Sequence, residues 1–242
     1  MNDNESVTSS KTDYPYPDIK ENPLDEISIT SYILGTVLGI SVPWLINAKF
    51  VGFPLYLISL SAFHFLEFYV TAKFNPLKVD SNSFLLRNGS GYSAAQLLAI
   101  CECLIEMQFF SFKSLSTFHT KLIFGLGVCL LVVGQVARST AMITCGRSFS
   151  HRIMQEKQDD HQLVTKGIYQ YSRHPSYFGF FWWAVGTQLI CLNPISFIVF
   201  TVVLWSFFKK RIQHEEQLLI KFFGKEYLDF KETVGVGIPG IH

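Results

Sequence analysis

Arg173, His174, Pro175, Ser176 and Tyr177 stand directly ahead of residues 178–192, a run with no acidic or basic side chain. Proline suits the first position of a helix, where its missing N–H costs nothing, and a helix start presents free backbone N–H groups to a polar ligand. A second constellation follows that run. In "KKRIQHEEQLL", residues 209–219, Arg211 and Glu215 are four apart and share one helical face. Arginine offers a planar fork that grips a carboxylate with two hydrogen bonds. Two more polar segments, "RSFSHRI" and "KQDDHQLVTKGIYQYSRHPSY", precede the run and are dense in His, Arg and carboxylate. From residue types alone two readings stand. One is a binding site for a polar or anionic ligand at the edge of an apolar helix. The other is an ordinary membrane interface, with snorkelling cations and a tyrosine–tryptophan belt.

The elements that position these residues are apolar helices. The 242-residue chain is 49% hydrophobic, 15% aromatic and only 16% charged, against roughly one quarter charged in soluble domains. Residues 27–48, 50–72, 92–112 and 122–146 are long apolar stretches holding at most two charges each. Each exceeds the roughly 20 residues that a helix needs to cross a bilayer. Residues 174–208 form a fifth apolar region, which Asn193-Pro194 divides into two arms. The expected fold is all-α: a polytopic integral membrane protein of about six membrane helices. The last two form a Pro-broken hairpin, with a second arm of about 15 residues ending near Phe208. Arg and Lys divide sixteen to three between the two sides, with Arg138 inside a span. The positive-inside rule then puts both termini, and the polar site, in the cytosol. Residues 1–26, acidic and bearing three prolines, read as a cytosolic tail. Residues 27–242 read as one membrane domain, with cytosolic site segments at 146–178 and 209–242. Asn4 and Asn88 occupy N-x-S contexts and, on the cytosolic side, are expected to carry no glycan.

The five cysteines are not spaced as zinc ligands, and Gly125/Gly127 and Gly235/Gly237 lack the context of a dinucleotide fingerprint. No metal and no nucleic-acid partner is expected. His64, Glu67, Glu102, Glu106 and Arg138 fall at membrane depth, where charge is costly and faces a bundle interior or a cavity. They read either as a proton or ion path or as a neutralising cluster that fixes helix packing.

"GIYQYSRHPSYFGFFWWAVGTQLICLNP" followed by "FFKKRIQHEEQLLIKFFGKEYLDFKETVGVGIP" closely resembles the isoprenylcysteine carboxyl methyltransferases. "ISITSYILG", "FHFLEFYVTAKFNPLKVDSNSFLLRNG" and "GRSFSHRIMQEKQDDHQLVTKG" look like the fungal members. The resemblance implies an endoplasmic-reticulum enzyme that methylates the C-terminal carboxylate of farnesyl- or geranylgeranyl-cysteine in processed CaaX proteins. Ras-like GTPases and a lipopeptide pheromone are the implied substrates, S-adenosylmethionine the implied donor. It assigns the donor to His161, Gln162 (through its backbone), Leu163, Val164, Tyr169, His174, Pro175, Ser176, Tyr177 and Glu215, and the substrate carboxylate to Arg211. Met154 stands where animal members carry a cofactor-contacting Gln. Membrane lipid is a partner, and the resemblance admits a homodimer, for which Gly35/Gly39 is the one small-residue spacing in the first span. A prenyl chain gains roughly 0.8 kcal/mol per buried CH₂, so such an enzyme has to accept it sideways from the bilayer. Two rival readings are an NADPH-dependent sterol reductase, whose C-terminal region also carries an R-H-P motif, and a non-enzymatic transporter or lipid-binding protein built on the intramembrane charges. In the tail, Leu218, Leu219, Phe222, Phe223, Tyr227 and Phe230 recur at helical spacings and are expected to form an amphipathic cover over the site.

Overall fold

The computed structural model describes residues 23–87, 89–110, 113–157 and 161–242. Most of the N-terminal tail, and with it Asn4, lies outside the described residues, as does Asn88. Seven α-helices follow in order: α1 Leu24–Asn47, α2 Gly52–Phe74, α3 Ser90–Phe109, α4 Phe118–Cys145, α5 Pro175–Cys191, α6 Pro194–Phe223 and α7 Lys225–Thr233. The described residues contain no strand. Three helical segments are long and apolar enough to cross a membrane: Leu24–Asn47, Gly52–Phe74 and Phe118–Ser148. Their outward faces carry exposed Ile29, Ile33, Leu122, Leu126 and Val136. Such a broad apolar exterior is stable only where lipid replaces water.

Pro194 starts α6 as expected, and the α5–α6 pair forms a hairpin. The second arm does not stop at Phe208. It runs on as one helix to Phe223, so the charged segment from Lys209 is the continuation of α6. The charge boundary marks a change of surroundings, and good helix formers on both sides of it keep the backbone helical. Gly224, with φ 57° and ψ −126°, ends the helix in a conformation that disfavours a Cβ, and α7 starts in a new direction.

The most extensive helix pairing among the described residues joins α4 to α5, and glycines make it close. Gly127 and Gly134 recur at two-turn spacing on α4, Gly179 and Gly186 on α5. A Cβ at Gly179 would lie 2.5 Å from the Arg138 backbone nitrogen and one at Gly186 2.7 Å from that of Leu131. Backbone meets backbone here, as small residues allow in membrane helices. Nearly every residue of α5 is buried as a result. In the core beside this seam Phe63 stacks on Trp183 and meets Phe180 edge to face.

The intramembrane charges separate into two groups at opposite ends of the bundle. Arg138 grips Glu67 with two bonds, from Nε at 2.7 Å and Nη2 at 2.8 Å. Its Nη1 donates to the Ser176 hydroxyl and carbonyl. At the other end, the Glu102 carboxylate accepts from the Ile195 and Ser196 backbone N–H groups, both at 2.7 Å, and so caps α6. Lys113, one of the three cations counted on the sparsely charged side, is buried there. It pairs with Glu106 at 2.8 Å and donates to the Leu192 carbonyl, to Asn193 and to the Cys191 carbonyl, clamping the hairpin tip. His64 donates to the Phe84 carbonyl and accepts from the Tyr92 hydroxyl, which pins the loop after α2. The neutralising, packing role is therefore the one these contacts support. Arg138 with Glu67, and Lys113 with Glu106, each meet their charged partner within their own group.

Candidate active site

The residues that the resemblance assigns to donor and substrate share the wall of one cavity of about 710 Å³, as does Arg138, whereas His64, Glu67, Glu102 and Glu106 do not line it. His161, Gln162, Leu163 and Val164 enter on the extended segment after α4, with Met154 nearby. Tyr169 lies on a 3-10 turn, and His174 to Tyr177 form the start of α5. Arg211 and Glu215 face in from α6. The Gln162 backbone N–H is turned to the Ser148 hydroxyl at 3.4 Å.

Tyr177 is the hinge of the polar end. Its hydroxyl donates to Glu215 Oε2 at 2.6 Å and accepts from Arg211 Nε at 2.9 Å. The Arg211 guanidinium also lies 5.4 Å from the Tyr177 ring centre, and its Nη2 donates to the His151 carbonyl at 2.6 Å. His174 stacks on Tyr177 with rings 5.5 Å apart and 10° from parallel. Burial pushes the Tyr169 phenol well above its ordinary pKa, so it serves as a neutral hydrogen-bonding group.

Glu216, one position beyond Glu215, points away from this arrangement and holds it from behind. Its carboxylate accepts from Arg173 Nε at 2.6 Å, Lys231 Nζ at 2.6 Å and His174 Nε2 at 3.2 Å. Burial alone would raise its pKa. The hydrogen bonds from His174, Lys231 and Arg173 outweigh burial and hold it at about 2. The C-terminal segment completes the support. Arg173 donates its backbone N–H to Gly235 and its Nη1 to the Val234 carbonyl, and Ser172 bonds the Val236 carbonyl. The indoles of Trp182 and Trp205 reach the Gly237 and Pro239 carbonyls. Leu218, Leu219, Phe222, Phe223, Tyr227 and Phe230 all line the cavity, so the last turns of α6 together with α7 wall it in.

Sequence reasoning assigned no role to His151 or Glu216, and it did not show what Arg173 and Arg138 would hold. His151 joins the two ends of the site, because its ring donates to Glu67 at 3.0 Å while its carbonyl holds Arg211. Arg173 and Glu216 form a buried pair for which the expected Arg211–Glu215 face gave no hint. Arg138 fixes Ser176, and through it the start of α5. Only long-range contacts reveal these, and no spacing in the chain encodes them.

From the polar end the cavity continues between α3 and α6. Leu98 of α3 and Val203 and Phe207 of α6 line it and are also exposed on the outside, so the slot reaches the apolar surface. The fold and cavity thus define a helical membrane protein with a polar ligand site continued by an apolar arm between α3 and α6. Residues 126–221 match the family model described as "Isoprenylcysteine carboxyl methyltransferase (ICMT) family". The chain is 54% identical over 233 residues to the protein-S-isoprenylcysteine O-methyltransferase of Saccharomyces cerevisiae, covering 95% of this chain and 97% of that one. It is 38% identical to the Homo sapiens protein of that name, over 90% of this chain and 76% of the relative. A solved structure titled as the eukaryotic intramembrane Ras methyltransferase ICMT superposes with a TM-score of 0.84 at 37% identity, covering 89% of this chain and 77% of that one. This chain belongs to the isoprenylcysteine carboxyl methyltransferase family.

Proposed function

We propose that the chain methylates the C-terminal carboxylate of prenylated cysteine with S-adenosylmethionine as donor. The observation that carries this reading is the continuity of one cavity. Arg211, Tyr177 and Glu215 form its polar end, and the α3–α6 slot forms an apolar arm reaching the outer surface. Both halves of an amphipathic substrate have a place, and the prenyl chain stays in contact with lipid throughout.

The residues present suit the donor. Arg173 lines the cavity, and its buried Nη2 has no hydrogen-bond partner among the described residues. A carboxylate and aromatic rings lie close by, which favours a cationic ligand. S-adenosylmethionine supplies a methyl group already activated on a sulfonium. Residues 161–164, Tyr169 and residues 174–177 hold the donor from one side, and Glu215 closes the other. Arg211 spends one N–H on Tyr177 and one on His151, and turns its remaining N–H groups to the substrate carboxylate. That carboxylate, with an ordinary pKa near 3.3–3.7, is ionised at neutral pH and needs no general base. The protein's task is alignment: carboxylate oxygen, methyl carbon and leaving sulfur in line, and water kept out. The Tyr177 bridge couples the two binding positions and fixes their separation.

In this reading α3, α5 and the first half of α6 cross the membrane with α1, α2 and α4, giving six spans and cytosolic termini. The site then opens at the cytosolic face of the endoplasmic reticulum, where processed CaaX proteins such as Ras-like GTPases and lipopeptide pheromones would meet it. Residues 27–242 act as one domain. The experiment is incubation of the full chain in liposomes with labelled S-adenosylmethionine and N-acetyl-S-farnesylcysteine. Base-labile methyl ester is expected. Its absence, with NADPH-dependent sterol reduction in its place, would replace the reading.

A further inference from the structure

A second cavity, of about 320 Å³, adjoins the first. Phe149, Ser150, His151 and Arg152 line both. On its far side lie Asn75 at the end of α2 and the loop residues Lys78, Asp80 and Arg87. Its wall is polar where the α3–α6 slot is apolar, so the two openings suit different chemistry.

We propose that this second cavity receives the polypeptide immediately upstream of the modified cysteine and favours neutral or acidic side chains there. The proposal rests on the reading of the first cavity given above. A C-terminal prenylcysteine sends three groups out from its α-carbon. Its carboxylate goes to Arg211, its thioether and prenyl chain enter the slot between α3 and α6, and its amide nitrogen continues into the rest of the protein. That third branch needs a polar way out, because unpaired peptide groups are not tolerated against lipid. Arg211 Nη2 lies 2.6 Å from the His151 carbonyl, and the neighbours of His151 on both sides line the second cavity. The carboxylate position and the second cavity therefore meet across one short segment. An extended chain advances about 3.3 Å per residue, which puts about two or three upstream residues in this space.

The charge of the wall sets the preference. Among the described lining residues, Lys78, Arg87 and Arg152 face one carboxylate, Asp80. Lys78 is committed to the Arg147 carbonyl at 2.9 Å. Arg87 is held by a 3.6 Å ion pair with Glu26, at side-chain exposures of 74% and 43%. So exposed a pair contributes little, and Arg87 can turn to an incoming carboxylate. The same cations would attract a phospholipid headgroup. Continuity with the carboxylate position favours the peptide.

The test uses the full chain in phosphatidylcholine liposomes with three substrates: N-acetyl-S-farnesylcysteine, a farnesylated pentapeptide with Asp two residues before the cysteine, and the same peptide with Lys there. Wild type should favour the Asp peptide over the Lys peptide in kcat/KM by about fivefold, the scale of one partly exposed charge contact. Arg87→Glu should erase or invert that order while turnover of N-acetyl-S-farnesylcysteine stays within about twofold, which also reports an intact fold. Lys78→Gln should narrow the preference in the same direction. No charge preference in wild type, or an equal loss on all three substrates in Arg87→Glu, would overturn the proposal. So would a response to added phosphatidylserine that Arg87→Glu removes equally for every substrate, which would assign the cavity to a lipid headgroup. If wild type fails to methylate even N-acetyl-S-farnesylcysteine, the methyltransferase reading itself falls, an outcome distinct from the others.

Discussion

Glu216→Gln tests the support behind the site. Glu216 is 3% exposed, and its carboxylate accepts hydrogen bonds from Arg173, His174 and Lys231. The substitution keeps the shape and removes the charge, leaving the buried Arg173 without its counter-ion. Breaking a buried pair in this way costs about 3–5 kcal/mol. The acid dependence gives a second measure. The carboxyl titrates at about 2 in the folded protein, below its ordinary 4.5, so over that interval the unfolded chain binds more protons. The stabilisation, on the order of 3 kcal/mol, is complete above about pH 4.5 and is lost as pH falls toward 2. Thermal unfolding of detergent-solubilised protein, followed by tryptophan fluorescence, reads both effects. Wild type should melt several degrees above Glu216→Gln at pH 7, and the gap should close between pH 4.5 and pH 2. Identical melting at pH 7, or parallel acid profiles, would show that the carboxylate does not hold these cations together.

Three further outcomes follow from the packing and the topology. Gly179→Val should prevent accumulation of monodisperse protein in size-exclusion chromatography, since even a Cβ there meets the α4 backbone at 2.5 Å, whereas Gly35→Ala, which faces open space, should elute as wild type. Truncation after Gly224 removes Lys231 and the carbonyls of residues 234–236 that hold Arg173 and Ser172. Methyl transfer should fall by more than tenfold while the protein stays resistant to carbonate extraction, and wild-type turnover would show the tail to be dispensable. Asn88 should carry no glycan, and a glycosidase-sensitive mobility shift abolished by Asn88→Gln would reverse the assigned orientation.

The helices were legible because their causes are local. Four apolar stretches became α1 to α4 within a few residues of their charge boundaries, Pro175 opened α5 and Asn193-Pro194 turned the hairpin. The sharing of one cavity by Arg211, Glu215, residues 161–164, Tyr169 and residues 174–177 was also legible, from the i, i+4 face and from family resemblance. What stayed hidden depends on contacts between distant segments. Glu216 looks like its neighbour Glu215 in the chain, and only the arrival of Arg173 and Lys231 separates their surroundings. Lys113 is one more loop cation in the charge count, and only the Cys191 and Leu192 carbonyls and the Asn193 side chain show that it is buried. The α4–α5 glycines recur too sparsely to stand out beside Gly35/Gly39, yet they bring the two helix backbones together. The extension of α6 past Phe208 was hidden because charge, the cue for a membrane boundary, says nothing of where a helix ends.

The central claim is that Glu215 serves the donor and Arg211 the acceptor within one cavity, joined by Tyr177. Calorimetric binding of S-adenosylmethionine, set beside methyl ester release from N-acetyl-S-farnesylcysteine, tests it in Arg211→Ala and Glu215→Ala. A charge-assisted contact is worth about 1.5–3 kcal/mol, roughly 10- to 150-fold. Arg211→Ala should lower turnover by at least that factor, with donor affinity within about threefold of wild type. Glu215→Ala should weaken donor affinity by about tenfold or more. Loss of donor affinity in Arg211→Ala with Glu215→Ala unaffected, or full turnover in Arg211→Ala, would contradict the assignment.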